Sequence, residues 1–385
     1  MLIKKLLLDN FRSYAKKSFE FSPGTTLVVG ANTSGKSNLL EAIFLLAFGK
    51  SPRADLDREM VKTEVGESEN PIIRDSGNRM AFVRATVSGS DDRDLEVVLT
   101  ETGKRFRVNG VGRRLSDFSQ HFHVVLFSPE DLNLVTGTPD LRRRFMDFAL
   151  GSVDQAYARH LSEYDKVRRR RNRILSEMNK NTHFPPVNLE GWGLEFWDAK
   201  LLEHGVLLQD KRNEFFDEIN QQLAVSSLQL AYLPSSLTAE RLLEMRPREI
   251  AAETSLIGPH RDDFTFLSIV NSRQLTEVTV NRELLTVNGR DLAAYGSRGE
   301  QRRAVLALKE AELRFVEKRI ENRPVLLLDD IFSELDEENR ARVFDLIGRG
   351  HDQRSAGEVG QTIITTTDLN HVPAPLQKDL PVIRL

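Results

Sequence analysis

Eight consecutive residues near the start of the chain have the types and order that hold phosphate: Gly30, Ala31, Asn32, Thr33, Ser34, Gly35, Lys36 and Ser37. The two glycines let the backbone curl until successive N–H groups point inward at phosphate oxygens. Lys36 supplies a mobile cation with reach to β- and γ-phosphates, and the Ser37 hydroxyl is a ligand for Mg²⁺. Far along the chain, Val325-Leu326-Leu327-Leu328 runs into Asp329-Asp330. A buried strand that delivers an acid at its end is where a phosphate-loop protein holds its metal, so Asp329 is expected to serve Mg²⁺. Asp330, on the opposite strand face or just past its end, is expected to polarise the attacking water. Lys36 and Asp330 are therefore the expected catalytic residues. The plain alternatives are a glycine turn with a chance lysine and a strand that runs into a polar turn. Each loses ground when the two motifs occur in one chain.

A third cluster, Tyr295-Gly296-Ser297-Arg298-Gly299-Glu300-Gln301-Arg302-Arg303, opens the run AVLALKEAELRF. A small-residue turn at a helix N-terminus is an anion site. With one phosphate cradle already present, a second suggests phosphate bound from a second subunit.

These residues need an α/β frame. The opening reads as strand, turn, strand, over LIKKLLLDNF and SFEFSPGTTLVVG, followed by a helix from Ser37 to Gly49. From Met80 to Gly112 apolar and polar residues alternate, and an Asn-Gly turn closes a hairpin. From Pro139 to about residue 225 the chain is charged and helical, broken at Pro185-Pro186. Strand signals return at DFTFLSIV, EVTV and LLTVNG. A helix follows from Glu300 to Glu317, then the strand PVLLLDD, the helix ENRARVFDLI, a polar loop from His351 to Gly360 and the strand QTIITTT. Mixed sheet at both ends with helices between gives the expected division. Residues 1–138 plus 226–385 form one discontinuous lobe, and 139–225 form an inserted helical arm.

Composition narrows the function. The chain has 385 residues and no cysteine, which removes disulfides, zinc ribbons and thiol nucleophiles. The first residues lack a secretory cleavage pattern, and no apolar stretch reaches the roughly 20 residues that span a bilayer. A cytoplasmic protein without a membrane partner is expected. The net charge of −3 is not that of a protein that binds nucleic acid by bulk charge, so any such contact needs a local patch. Arg168-Arg169-Arg170-Arg171 is the densest candidate. Between Asp140 and Arg173 ten Lys or Arg stand against five Asp or Glu, a surplus of five. The run is either a surface that meets DNA phosphates or a solvated helix face paired with Glu163 and Asp165.

Ser297 to Arg302 resembles the signature motif of ABC-type ATPases, and Ser333-Glu334-Leu335-Asp336 resembles their D-loop. Asn10-Phe11-Arg12-Ser13-Tyr14, Asn38-Leu39-Leu40-Glu41-Ala42, Phe127 to Leu132, Arg142 to Asp147, Gly258 to Asp263 and Leu328 to Asp336 together resemble the RecF family, related to SMC heads. The resemblance runs the length of the chain. It implies an ABC-type, SMC-head-like ATPase lobe with an inserted helical lobe. It also implies slow, DNA-stimulated ATP hydrolysis with Mg²⁺ and a homodimer formed on ATP. Ser297, Arg298, Gly299 and Glu300 would close over the γ-phosphate of the partner, and Asp336 would lie in the D-loop. It implies binding to double-stranded DNA and to gap junctions, and work with RecR and RecO in loading RecA. The setting would be nucleoid-associated DNA replication, recombination and damage repair in the SOS response. The ABC switch histidine is replaced by Thr365-Thr366-Thr367, where Thr366 is either a γ-phosphate sensor or plain strand-forming sequence. Arg12 is either a nucleotide contact, as in SMC heads, or a surface arginine. His260 has no role derivable from sequence. The alternatives are the ATPase subunit of another ABC-type assembly such as a transporter, an SMC-type head, or a monomeric phosphotransferase.

Overall fold

The computed structural model describes all residues except 55, 63–79, 90, 101, 181–192, 270–274, 281–282, 349–359, 370–371 and 373–379. The expected breaks at Pro185-Pro186 and over 351–359 lie outside the described residues. In chain order, β1 (Leu2–Phe11), β2 (Tyr14–Glu20), β3 (Thr25–Val29) and α1 (Lys36–Phe48) come first. Then follow β4 (Ala81–Ser88), β5 (Asp92–Thr100), β6 (Gly103–Val108), β7 (Val111–Arg113), α2 (Leu115–Phe118) and β8 (Val124–Phe127). The middle holds α3 (Asn133–Thr136), α4 (Pro139–Val153), α5 (Gln155–Lys180), α6 (Leu194–Leu223), β9 (Leu228–Leu233), α7 (Ala239–Ala251), β10 (Asp263–Ser268), β11 (Leu275–Val280), β12 (Glu283–Asn288), β13 (Arg290–Asp291), α8 (Leu292–Tyr295) and α9 (Arg298–Ile320). The last elements are β14 (Val325–Asp329), α10 (Ile331–Glu334), α11 (Glu337–Gly348), β15 (Thr362–Thr366) and β16 (Val382–Arg384).

The chain divides into two compact units, Met1–Asp131 with Glu312–Leu385, and Leu132–Ala311. The first carries two sheets. One is antiparallel in the order β2-β1-β4-β5-β6-β7, and the other is parallel in the order β16-β3-β15-β14-β8. The stretch read as one strand over SFEFSPGTTLVVG is two strands in different sheets. Pro23-Gly24 stops the first, and Gly24 takes a φ of 84° that a side chain rarely adopts. In β4, Ala81, Val83, Ala85 and Val87 are buried while Arg84 is exposed, the alternation that a sheet with one covered face requires. Helix α1 touches β4 and β5 of one sheet and β14, β15 and β8 of the other. That two-sided burial explains why its apolar residues run all round rather than along one stripe.

In the second unit, α4, α5, α6 and α7 pack with the sheet β13-β10-β9. Residues 226–311 therefore group with the helices and not with the ATPase half to which the sequence assigned them. The cause is packing: β9 lies on α6 and α4 on β10. The strand signals at EVTV and LLTVNG fall on β11 and β12, which pair with each other as antiparallel strands.

Candidate functional site

All strands of the parallel sheet point the same way, so their C-terminal ends share an edge. The register sets Thr366 beside Val29, Thr365 beside Asp329, and Phe127 beside Leu328. The phosphate loop, the paired carboxylates, the threonine run and the Ser128 turn thus emerge together, where open α/β sheets bind ligands.

The loop is tightly wound. A Cβ on Gly30 would lie 2.4 Å from Ser34 Oγ and 3.1 and 3.2 Å from the Cβ atoms of Leu385 and Ser34, so a side chain there would crowd the curl. Gly35 takes a φ of 103° ahead of α1, and a Cβ there would lie 2.8 Å from Tyr14 Oη. Tyr14 Oη donates to the Gly35 carbonyl at 3.1 Å, and burial pushes its pKa up to about 12, so it stays a donor at neutral pH. Lys36 Nζ donates to the Gly30 and Ala31 carbonyls at 2.7 and 2.9 Å, so the cation lies across the mouth of the loop. Ser34 Oγ is buried without a hydrogen-bond partner. A buried hydroxyl in that state, in a wound glycine loop beside a cation, fits a phosphate oxygen. Ala31, Asn32 and Thr33 form the exposed crest.

Asp329 is the centre of the carboxylate edge. Its Oδ1 accepts from Ser37 Oγ at 3.2 Å and from Thr365 Oγ1 at 2.7 Å. Its Oδ2 accepts from Arg53 at 2.6 Å. A carboxylate and a hydroxyl side by side form the hard-oxygen donor set that suits Mg²⁺. Asp330 has a left-handed backbone, φ 47°, which turns the chain out of β14 into α10. Its N–H donates to the Thr365 carbonyl, so its position is fixed by β15.

Two expected contacts look different in three dimensions, and one contact was not expected. The Thr366 hydroxyl donates to the Asp368 carbonyl at 2.8 Å, and the threonine that reaches the carboxylate is Thr365. Arg12 grips the buried Glu41 with two donors at 2.6 and 2.9 Å and the Glu59 carbonyl with a third, so it braces α1. Arg53 does not stand out in the sequence at all. Its loop, SPRADL, has no local signature, because its partner lies 276 positions away.

The second unit carries the signature residues. Ser297 caps α9. Its Oγ and backbone N–H both donate to Glu300 Oε2, and the Glu300 N–H donates back to Ser297 Oγ. This is a capping box, readable as S-x-x-E. The same bonds from Ser297, ahead of an ion pair with Arg290, hold the Glu300 carboxyl below its usual range. Ser297 and Arg298 are exposed, and Gly299 follows in the first turn, so the helix N-terminus faces outward. Asp336, in the first unit, caps α11 by accepting from the Asn339 N–H at 2.9 Å and is exposed.

The basic run splits. Arg171 is fully buried, paired with Asp198 and Glu249 at 2.6 Å each and bonded to Ser255 at 3.0 Å. It cannot meet DNA. Arg168 is half-buried beside Asp165, while Arg169 and Arg170 are exposed. The two motifs around residues 142–147 and 258–263 interlock. Arg142 grips Asp263 with two donors. Arg212, 1% exposed, joins Asp147 to Asp262 at 2.8 and 2.7 Å. Asp262 pairs with Arg212, fifty positions away. His260 sits between Tyr164 Oη and the Ser255 carbonyl, at 2.8 and 2.9 Å, and burial lowers its pKa to about 3.

Among the described residues no helix is long and apolar enough to cross a membrane. The family model for the RecF/RecN/SMC N-terminal domain matches residues 2–374. The DNA replication and repair protein RecF of Bacillus cereus strain G9842 is 31% identical over 410 aligned positions, covering 100% of this chain and 97% of that one. The RecF of Bacillus thuringiensis strain Al Hakam is 31% identical over 408, with the same coverage. The solved structure of the recombination mediator protein RecF with ATP, from the RecFOR pathway, superposes with a TM-score of 0.75 at 29% identity, covering 95% of this chain and 92% of that one. A second RecF structure of that pathway, titled RecF-ATPrS, gives 0.74 at 28%, covering 97% and 94%. By sequence along its whole length and by fold, the chain belongs to the RecF family.

Proposed function

We propose that the chain is an ATP-switched DNA replication and repair protein that hydrolyses ATP slowly, forms a homodimer on ATP, and acts on DNA. The observation that carries this reading is the hydrogen-bonded set Ser37–Asp329–Thr365 at the same strand edge as the phosphate loop. ATP phosphates enter the curl of Gly30 to Gly35, and Lys36 leaves the Gly30 and Ala31 carbonyls to meet them. Ser37 and Asp329 would hold Mg²⁺, which when bound neutralises charge on the phosphate oxygens. Asp330 takes the proton of the attacking water.

The exposed α9 N-terminus has no phosphate cradle beside it in sequence. A helix N-terminus favours an anion, and a γ-phosphate held by another subunit is the ligand that the signature implies. Arg298, Gly299 and Glu300 would complete that contact with Ser297, and Asp336 would face the partner at the D-loop. The names of the relatives, a DNA replication and repair protein and a recombination mediator of the RecFOR pathway, support DNA as a partner and RecR and RecO as protein partners; double-stranded DNA, gap junctions and RecA loading rest on the resemblance of the sequence motifs alone. DNA contact rests on Arg169 and Arg170, with Arg168 at the margin. Engagement of the Thr366 hydroxyl by Asp368 leaves γ-phosphate sensing to Thr365, through Asp329.

The test is the oligomeric state in ATP and in ADP, read by light scattering, for wild type, Lys36→Met and Ser297→Arg. Wild type should dimerise on ATP alone. Lys36→Met should bind no ATP and stay monomeric. Ser297→Arg should bind ATP as a monomer and neither dimerise nor hydrolyse it. Normal hydrolysis by monomeric Ser297→Arg would return the protein to the phosphotransferase class.

A further inference from the structure

Asp329 is already fully engaged. Two hydroxyls, from Ser37 and Thr365, occupy one oxygen, and the Arg53 guanidinium occupies the other at 2.6 Å. The carboxylate is only 5% exposed, so it needs a counter-charge, and Arg53 is the cation it has. The same Arg53 nitrogen lies 3.4 Å from Glu130, an exposed carboxylate in the turn after β8. The backbone beneath is pinned. Ser51 Oγ accepts from the Arg53 and Ala54 N–H groups and donates to the buried Glu41. The side chain is 30% exposed and hangs from that fixed point, so it can leave Asp329 without moving the loop.

We propose that Arg53 is a stand-in cation: it occupies the Mg²⁺ side of Asp329 while the site is empty, and it must move off, toward Glu130, for the metal to bind. This rests on the reading of Asp329 as a Mg²⁺ ligand. The consequence is that metal and guanidinium compete for one oxygen. Arg53 is then a positioning residue that raises the Mg²⁺ concentration at which nucleotide is held.

The experiment titrates Mg²⁺ against binding of a fluorescent ATP analogue, without measuring turnover. Arg53→Met should lower the half-saturating Mg²⁺ concentration by about two- to fivefold, the scale of one partly exposed ion pair. Arg53→Lys keeps charge without the planar fork and should fall between. Asp329→Asn should abolish the Mg²⁺ dependence. If Asp329→Asn still responds to Mg²⁺ as wild type does, the metal assignment fails, and the Arg53 proposal with it. If Asp329→Asn loses the response while Arg53→Met leaves the half-saturation unchanged or raises it, only the Arg53 proposal is overturned. Thermal unfolding in EDTA without nucleotide gives a second reading. Arg53→Met should lower the midpoint, and Arg53→Met with Asp329→Asn should recover part of the drop, since charge and counter-charge leave together. Additive decreases would overturn the pairing.

Discussion

The carboxylate edge of the ATPase unit and the buried charges of the helical unit both pair arginine with aspartate, and they use the pair in opposite ways. At the edge, Arg53 is partly exposed and holds one oxygen of Asp329, so solvent and ligand can compete for it. In the helical unit, Arg171 is fully buried and bonded to Asp198, Glu249 and Ser255. A cation held at one point from the surface can be exchanged; one held at three points in the interior is structural. The lesson is that charge density along a sequence says little about use until burial is known.

The largest expected effect lies at the edge. Asp330→Asn should slow ATP hydrolysis by about 10²- to 10⁴-fold with nucleotide affinity retained, since the loop and Asp329 are intact. Single-turnover hydrolysis alongside a binding titration measures both. Equal loss of affinity in Asp329→Asn and Asp330→Asn would erase the division of labour between the two carboxylates.

Next in size is the contrast within the basic run. Arg171→Ala takes the counter-charge from buried Glu249 and leaves Asp198 with Arg246 alone, and it should destabilise the protein by about 3–5 kcal/mol. Arg169→Ala with Arg170→Ala should stay within about 0.5 kcal/mol of wild type in denaturant unfolding. That pair should instead flatten the salt dependence of DNA binding, by about 0.9 in the log–log slope for each phosphate that is no longer neutralised. A stable Arg171→Ala would dissolve the distinction between the two regions, and an unchanged slope would return Arg169 and Arg170 to a solvated face.

Near neutral pH the smallest effect is that of protonation. His260 is neutral in the folded protein, with its pKa lowered from 6.5 to about 3 by burial, so the unfolded chain binds the extra proton first. Its contribution is complete above about pH 6.5 and is lost as pH falls toward 3, at about 1.4 kcal/mol per pH unit at most. His260→Gln should flatten the pH dependence of stability in that window. An identical slope would place the proton uptake elsewhere.

Much of the site was legible because its geometry is local. A phosphate loop needs glycines at fixed offsets, and a metal-serving acid needs an apolar strand before it, so short stretches of sequence suffice. Arg53 and Thr365 were missed because what defines them is a partner far away in the chain. Arg171 is a different case. Tyr157, Tyr164, Arg171 and Met178 are seven residues apart and all buried on α5, so the apolar stripe runs straight through the arginine. The spacing contained the answer, but reading RRRR as one feature hid it. The interlock of residues 142–147 with 258–263 was visible only as two motifs without roles, because each supplies half of the other's charge.

The split of the ATPase unit also sets an order on its assembly during synthesis. Strand β3, which leads into the phosphate loop, has β15 on one side and β16 on the other, from residues 362–366 and 382–384. While residues 30 to 360 emerge from the ribosome, β3 has neither neighbour and α1 lacks β14 and β15 on one of its faces. At about 5–20 residues per second that interval lasts tens of seconds, with apolar strand and helix surface uncovered throughout. The strand edge that carries the phosphate loop, Asp329 and Thr365 is thus among the last parts of the molecule to become complete.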